Sequence, residues 1–158
     1  MSTGAGLVAH PVEPLRSGAG ARRATLGEGP VWDAERGELI WVDIDRGLVH
    51  RHTPASGATR SVHVGQSVGC AVPRAGGGLM LALRDGFAVL PPGGSAPEFL
   101  VPVEAERPRT RMNDGACDPW GRFWAGTMSL DGDTRTAALY RLDPDLSVRR
   151  VLACVSIS

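Results

Sequence analysis

The sequence has few aromatic residues, little net charge and no long apolar run, and each shortage excludes a class of protein. Phe, Trp and Tyr make up only 5% of the 158 residues, whereas glycine and proline are abundant, which favours short elements and many turns. No apolar stretch approaches the ~20 residues of a membrane-spanning helix, so no membrane contact is expected. Basic and acidic residues both number 17, and this balance disfavours nucleic acid as a partner.

Cysteine is scarce too, and the N-terminus lacks a targeting pattern. Cys70, Cys117 and Cys154 are far apart and match no metal or redox motif, so they are expected to be reduced, buried thiols. No basic segment precedes an apolar one at the N-terminus, which together with the thiols predicts a cytoplasmic protein. Residues 1–24 have little periodicity and are predicted to form a flexible leader, followed by one domain over residues 25–158.

Short apolar runs separated by polar, glycine-rich turns recur along the chain. Residues 29–33, 38–43, 48–52 and 58–64 have the pattern of four antiparallel strands. The pattern returns at Gly69 and at Gly115, so the repeat is about 40 to 46 residues long. Because the apolar runs are short and Val-rich, a helical interpretation is disfavoured. The sequence predicts an all-β fold.

Four strands per repeat at this spacing are typical of the blades of a β-propeller. The sequence therefore predicts about three four-stranded antiparallel blades, with the first strand of each lining a central channel. Propellers close with about four to eight blades, since each blade packs against two neighbours. An incomplete ring is expected, which is either part of a longer propeller or a half-ring that forms a homodimer.

Three polar segments lie where predicted strands begin or end. Glu28 stands between two glycines ahead of the first repeat, and Arg111 and Asn113 stand at the matching point of the third. Asp131 follows the second strand of that repeat. Loops that lead into the inner strands meet at one mouth of a propeller, so Glu28 and Asn113 could converge. Oxygen ligands of this kind suit a hard divalent cation, and Zn²⁺ also accepts carboxylate.

Each of these residues also has a plainer explanation. Glu28 could be a solvated turn residue, Asn113-Asp114-Gly115 could be a simple β-turn, and Asp131 lies in a turn-like Asp-Gly-Asp. His50 and His52 alternate along one strand and predict an exposed blade face rather than a metal site, and Asp43 and Asp45 share that spacing. The tryptophans at positions 32, 41 and 124 are predicted to pack between blades.

Several of these segments, taken in order, resemble the family that includes senescence marker protein (regucalcin), gluconolactonases and luciferin-regenerating enzyme. Residues 26–32 (LGEGPVW) resemble its opening motif, and residues 39–44 (LIWVDI) resemble the strand that follows. The most specific match is residues 111–115 (RMNDG) with the later segment 123–128 (FWAGTM). The resemblance runs from about Leu26 to Ser158.

The resemblance implies a six-bladed propeller that binds one divalent metal ion, Ca²⁺, Zn²⁺, Mg²⁺ or Mn²⁺, and hydrolyses a sugar lactone. Glu28 would be a metal ligand, Arg111 and Asn113 would contact substrate, and Asp131 would be a further acidic contact. The family's other two metal ligands are an Asn and an Asp, and the Asp is also the expected general base. Both would lie beyond Ser158, so the resemblance places no catalytic base within this chain.

Two expectations follow from that incomplete ligand set. With a single carboxylate ligand, the chain alone is expected to bind metal weakly and to show little or no lactonase activity. The alternative is a non-catalytic fragment or a propeller module that binds calcium or another ligand.

Overall fold

The computed structural model describes residues 23–133 and 135–157, and these residues form twelve β-strands without a helix. Most of the predicted leader, residues 1–22, lies outside the described residues. None of the described residues forms a helix able to cross a bilayer. The strands are β1 Gly27–Asp33, β2 Glu38–Asp43, β3 Leu48–Thr53, β4 Ala58–His63, β5 Val68–Pro73, β6 Leu79–Leu83, β7 Gly86–Leu90, β8 Glu98–Pro102, β9 Thr110–Cys117, β10 Phe123–Ser129, β11 Ala137–Leu142 and β12 Val148–Val155.

The strands form three antiparallel sheets, each of four strands consecutive in sequence: β1–β4 (blade 1), β5–β8 (blade 2) and β9–β12 (blade 3). The first strand of each sheet lies innermost: β5 packs against β1 and β2 on one side and against β9 on the other. Blade 2 is thus sandwiched between its neighbours. This arrangement confirms the predicted all-β fold of three four-stranded antiparallel blades of a partial propeller.

Two hydrophobic clusters hold the three blades together. Ile40, Val42 and Leu81 belong to the cluster between blades 1 and 2. Phe87 and Phe123 belong to the cluster between blades 2 and 3, and their rings meet edge to face at 5.4 Å. All five residues of β7 are buried, because blade 2 has a neighbour on each side. The outermost strands β4 and β12 are largely exposed.

Some side chains differ from their predicted surroundings. Cys70 is buried, but Cys117 and Cys154 are exposed thiols of blade 3, which has a described neighbour on one side only. His52 is buried and shares a hydrogen bond of 2.9 Å with the Thr59 hydroxyl, so the prediction of an exposed position was wrong for it. His50 is half-buried because its ring stacks on Trp41 at 4.9 Å.

Candidate functional site

A pocket of about 310 Å³ lies between the inner strands of the three blades. It brings Glu28 of blade 1 together with Asn113 and Asp114 of blade 3, which are about 85 residues away in sequence. Leu26, Gly29, Ile44, Gly69, Met128 and Ile157 complete the lining. Glu28 and Asn113 therefore line the same pocket, as the sequence predicted. This pocket is the candidate site.

Each inner strand carries an irregularity in its pairing where it meets the pocket. The register of β1 with β2 shifts between Glu28 and Val31, and that of β5 with β6 shifts between Val68 and Cys70. In β9 the shift falls between Met112 and Gly115, opposite Ala125 and Thr127 of β10. A bulge inserts an extra residue and re-aims the side chains around it. Strand pairing thus directs Glu28 and the Asn113–Asp114 pair toward the channel.

The strand pairing also shows that the turn interpretations of Glu28 and of Asn113-Asp114-Gly115 were wrong. Asn113-Asp114-Gly115 is not a β-turn, because β10 pairs along both sides of it and keeps it within β9. Glu28 likewise belongs to β1, where it is exposed to the channel. Asp114 was missed as a pocket residue. Aligning the repeats on Gly29 and Gly115 would have found it, since an acid precedes the glycine in both.

Close backbone contact between blades 2 and 3 fixes the position of Asn113. A Cβ atom at Gly69 would lie 2.4 Å from the Asn113 carbonyl oxygen, so only glycine allows β5 to approach β9 this closely. A Cβ at Gly115 would lie 2.9 Å from the Cys70 sulfur. Burial raises the pKa of the Cys70 thiol, with a smaller contribution from the Asp114 charge. Cys70 is therefore an uncharged packing residue behind the pocket.

Arg111 is buried and contacts Asn113 directly. Its side chain is folded back so that Nη1 donates to the Met112 carbonyl (2.9 Å) and to the Asn113 Oδ1 (3.1 Å). Burial lowers the pKa of Arg111, and the charge of Asp45 partly opposes this. With Oδ1 accepting from Arg111, the Nδ2 group becomes the donor end of the Asn113 side chain. Arg111 thus orients Asn113 and is absent from the lining of the pocket.

Asp131 lies apart from the Glu28 pocket. It is exposed on the loop after β10 and forms a short ion pair with Arg109. It lines a separate cavity of about 560 Å³, beside the loops that precede β9 and follow β10. The structure therefore places Glu28 and Asn113 together, with Arg111 behind Asn113, and leaves Asp131 at a neighbouring cavity.

The donor chemistry of the Glu28 pocket fits part of a coordination shell for a hard cation. Glu28 and Asp114 offer carboxylate oxygens, which are ligands that Ca²⁺ and Mg²⁺ prefer, whereas the Asn113 Oδ1 already accepts a hydrogen bond from Arg111. Residues 23–133 and 135–157 contain no cluster of three His, Cys, Asp or Glu side chains that could hold a metal ion. The pocket thus supplies the right oxygen atoms but too few carboxylates to enclose an ion.

Comparisons with known proteins agree with this architecture. The profile of the SMP-30/Gluconolactonase/LRE-like region matches residues 26–158. A 6-deoxy-6-sulfogluconolactonase from Pseudomonas putida is 36% identical over 135 residues, which are 85% of this chain and 46% of that protein. Regucalcin from Danio rerio is 41% identical over 135 residues, which are 84% of this chain and 45% of that protein.

A solved structure of a related protein has the same fold over the matched region. The crystal structure of a calcium-binding protein, regucalcin, from Agrobacterium tumefaciens strain C58 superposes with a TM-score of 0.78 at 26% identity. The match covers 84% of this chain and 44% of that one. The chain spans about half the length of the relatives it matches. With its profile match, its blades and its Glu28 pocket, the chain belongs to the SMP-30/gluconolactonase/LRE-like family.

Proposed function

We propose that this chain carries the Glu28 and Asn113 portion of the active site of a metal-dependent sugar-lactone hydrolase. The observation that supports the proposal is the pocket in which strands of blades 1 and 3 bring these two residues together. The family assignment and the lactonase name of the Pseudomonas relative favour the same chemistry. The substrate would be a small sugar lactone.

Glu28 would hold one divalent ion, for which Ca²⁺, Zn²⁺, Mg²⁺ and Mn²⁺ are all chemically suitable. Such an ion, when bound, would polarise the lactone carbonyl and stabilise negative charge on its oxygen. Asn113, which accepts a hydrogen bond from Arg111, would contact the substrate and so help fix the orientation of the ring. Asp131 would contact a substrate hydroxyl only if the substrate extends beyond the Glu28 pocket.

The second candidate function is a module that binds calcium or another ligand without catalysis. The Glu28 and Asp114 carboxylates of the pocket would contact a cation without supplying the remaining ligands of a catalytic site. The Agrobacterium relative is itself described as a calcium-binding protein. The two functions differ in whether bound metal leads to turnover.

The deciding experiment measures metal binding and lactone hydrolysis on the purified chain. We expect Ca²⁺ and Mn²⁺ to bind weakly, with dissociation constants of roughly 10⁻³ M, because the Glu28 and Asp114 carboxylates leave most of the coordination shell to water. Glu28→Ala should abolish that binding, and Glu98→Ala, an exposed glutamate of β8, should not change it. Hydrolysis of gluconolactone, followed by pH-stat with and without EDTA, is expected to stay close to background.

The outcomes separate the hypotheses. Equal metal binding by Glu28→Ala and the unmodified chain would refute the proposed role of Glu28. Normal turnover that EDTA abolishes would refute the expectation that the site is incomplete. It would show that the chain assembles a working site. Metal binding that needs Glu28, without turnover even when further blades are supplied in trans, would favour the binding module.

A further inference from the structure

The buried carboxylate of Asp43 binds the backbone just ahead of Glu28. Asp43 ends β2 and is fully inaccessible to solvent. Its two carboxylate oxygens accept hydrogen bonds from the backbone amides of Thr25 (2.9 Å) and Leu26 (3.1 Å). These two residues immediately precede β1, so the side chain holds the segment that leads into the pocket.

Backbone pairing strengthens the same attachment. The Ile44 amide donates to the Leu26 carbonyl (3.0 Å), and Gly27 pairs with Asp43 itself in the β1–β2 ladder. Arg46 Nε lies 3.8 Å from the carboxylate and balances its charge. Burial alone would raise the pKa of Asp43, but the amides of Thr25 and Leu26, together with Arg46, lower it. Asp43 therefore accepts these bonds as a carboxylate at neutral pH.

Glu28 itself pairs with Val42 of β2, and the pairing is interrupted immediately after it. The next residue, Gly29, has a φ of 59°, and the ladder resumes only at Val31. Glu28 thus lies between a bulge, where pairing is interrupted, and the segment that Asp43 holds. Loss of the attachment would let the first residues of β1 move away from β2 and take the Glu28 carboxylate with them.

We propose that Asp43 is a positioning residue for Glu28, holding its carboxylate in the channel by binding the Thr25 and Leu26 amides. This inference rests on the proposed role of Glu28 in metal binding. Residues that orient a metal ligand from behind commonly change metal affinity about 10- to 100-fold when they are replaced. Asp43 contributes in this way without lining the pocket.

The same hairpin offers a matched control. Asp33 lies at the opposite end of β1, is also buried, and accepts hydrogen bonds from the Arg36 backbone amide (3.2 Å) and the Arg36 Nη1 (3.1 Å). Asp33→Asn and Asp43→Asn make the same chemical change in the same blade. In each, the amide group of Asn has one acceptor oxygen where the carboxylate had two. A purely structural role predicts similar effects for both.

The test uses the whole chain and two measurements. Hydrogen exchange by NMR should show faster exchange of the Thr25 and Leu26 amides in Asp43→Asn and unchanged exchange there in Asp33→Asn. Mn²⁺ titration, followed by broadening of the amide signals around Glu28, should show affinity about 10-fold weaker in Asp43→Asn and within about 2-fold of the unmodified chain in Asp33→Asn. In a Glu28→Ala background, Asp43→Asn should cause no further loss, since coupled residues are not additive.

Three results would overturn the inference: unchanged exchange at Thr25 and Leu26, Mn²⁺ affinity retained despite faster exchange, or equal loss of affinity in both Asn variants. If Glu28→Ala itself left Mn²⁺ binding intact, the proposed role of Glu28 as a metal ligand would be wrong, whatever the Asp43 variants show. Asp43 would then be shown by the exchange data to hold the segment without serving a metal ligand, which also overturns its positioning role.

Discussion

Gly69 has no side chain, yet it determines how closely the backbones of blades 2 and 3 approach behind the pocket. A Cβ there would lie 2.4 Å from the Asn113 carbonyl oxygen, and the neighbouring backbone atoms at 2.8 Å leave no flexible side chain to move aside. The sequence marked this glycine only as the start of a repeat. Its reason for being glycine is a contact with another blade, which spacing along the chain cannot reveal.

We expect Gly69→Ala to lower the free energy of unfolding by about 1–3 kcal/mol, the usual range for overpacking, and to shift the Asn113 amide signal. Urea denaturation and NMR would measure the two effects. Gly76→Ala is the control, because a Cβ at Gly76 would meet no atom within 4 Å. If the two variants were equally stable and Asn113 kept its signal, the close contact would not constrain the pocket.

Asp118 joins the turn between β9 and β10 to the strand that follows. Its Oδ1 accepts from the backbone amides of Trp120 and Arg122, and its Oδ2 accepts from Trp124 Nε1 at 2.9 Å. Burial raises the pKa of Asp118, but hydrogen bonds from Trp124 and Arg122 outweigh this and lower the pKa to about 2. The folded state therefore binds a proton at Asp118 less readily than the unfolded state does.

A pH dependence of stability follows from this difference. A carboxyl group whose folded pKa is depressed contributes stability above its unfolded pKa of 3.8 and loses it as the pH falls toward 2. We expect Asp118→Asn to unfold more readily than the unmodified chain at pH 6, and the difference to shrink as the pH approaches 2. Thermal unfolding at several pH values would test this. A difference that stays constant from pH 6 to pH 2 would exclude the contribution of Asp118.

At the level of elements, most strands could be predicted because each has a short apolar run bounded by turns that contain Gly or Pro. The exception is β8, Glu98–Pro102, which follows a stretch rich in Pro and Gly. It is an edge strand with mostly exposed or half-buried residues, so its sequence carries no clear alternation. The start of β9 was also misplaced, because Asn-Asp-Gly favours turns locally and only pairing with β10 keeps it extended.

Arg111 contacts the bulge in β9 through two hydrogen bonds. We expect Arg111→Lys to lower the free energy of unfolding by about 1–3 kcal/mol, because a single ammonium group cannot reproduce the fixed geometry that serves both the Met112 carbonyl and the Asn113 Oδ1. The Asn113 side-chain amide signals should shift. Arg109→Lys, an exposed arginine of the adjacent loop, is the control. Unmoved Asn113 signals in Arg111→Lys would show that Arg111 does not orient Asn113.

At the level of the whole molecule, the outward surfaces of blades 1 and 3 have no described neighbour. Trp32 is 55% exposed and Leu152 is 53% exposed, although Trp32 was predicted to lie between blades. That prediction assumed a neighbour on both sides of blade 1, which three blades cannot provide. Trp41 and Trp124 are half-buried. The sequence pattern predicts the repeat and its strands. It does not predict what covers the outward surfaces of blades 1 and 3, because within the three described sheets these surfaces have no neighbour.

We expect the purified chain to self-associate at roughly 100 μM through these surfaces, since exposed apolar surface favours association. Size-exclusion chromatography with light scattering would detect it. A compact dimer would support a homodimer of half-rings, and polydisperse aggregates would support an incomplete propeller. Trp32→Gln should reduce association, and Trp120→Gln, at a turn and 74% exposed, should not. A monodisperse monomer would contradict both.

The attachment of Glu28 through Asp43 and the dependence of Asn113 on Gly69 give the pocket an order of formation during synthesis. The Asp43 hydrogen bonds that hold the segment ahead of Glu28 lie within blade 1, but Asn113 also needs blade 2. At a synthesis rate of about 5–20 residues per second, Asn113 is made roughly 4–17 s after Glu28. For the first part of that interval, until blade 2 has been synthesised, the surface of blade 1 that contacts β5 stays uncovered. Slow translation between the two motifs would therefore lengthen the period in which blade 1 can pair with another nascent chain.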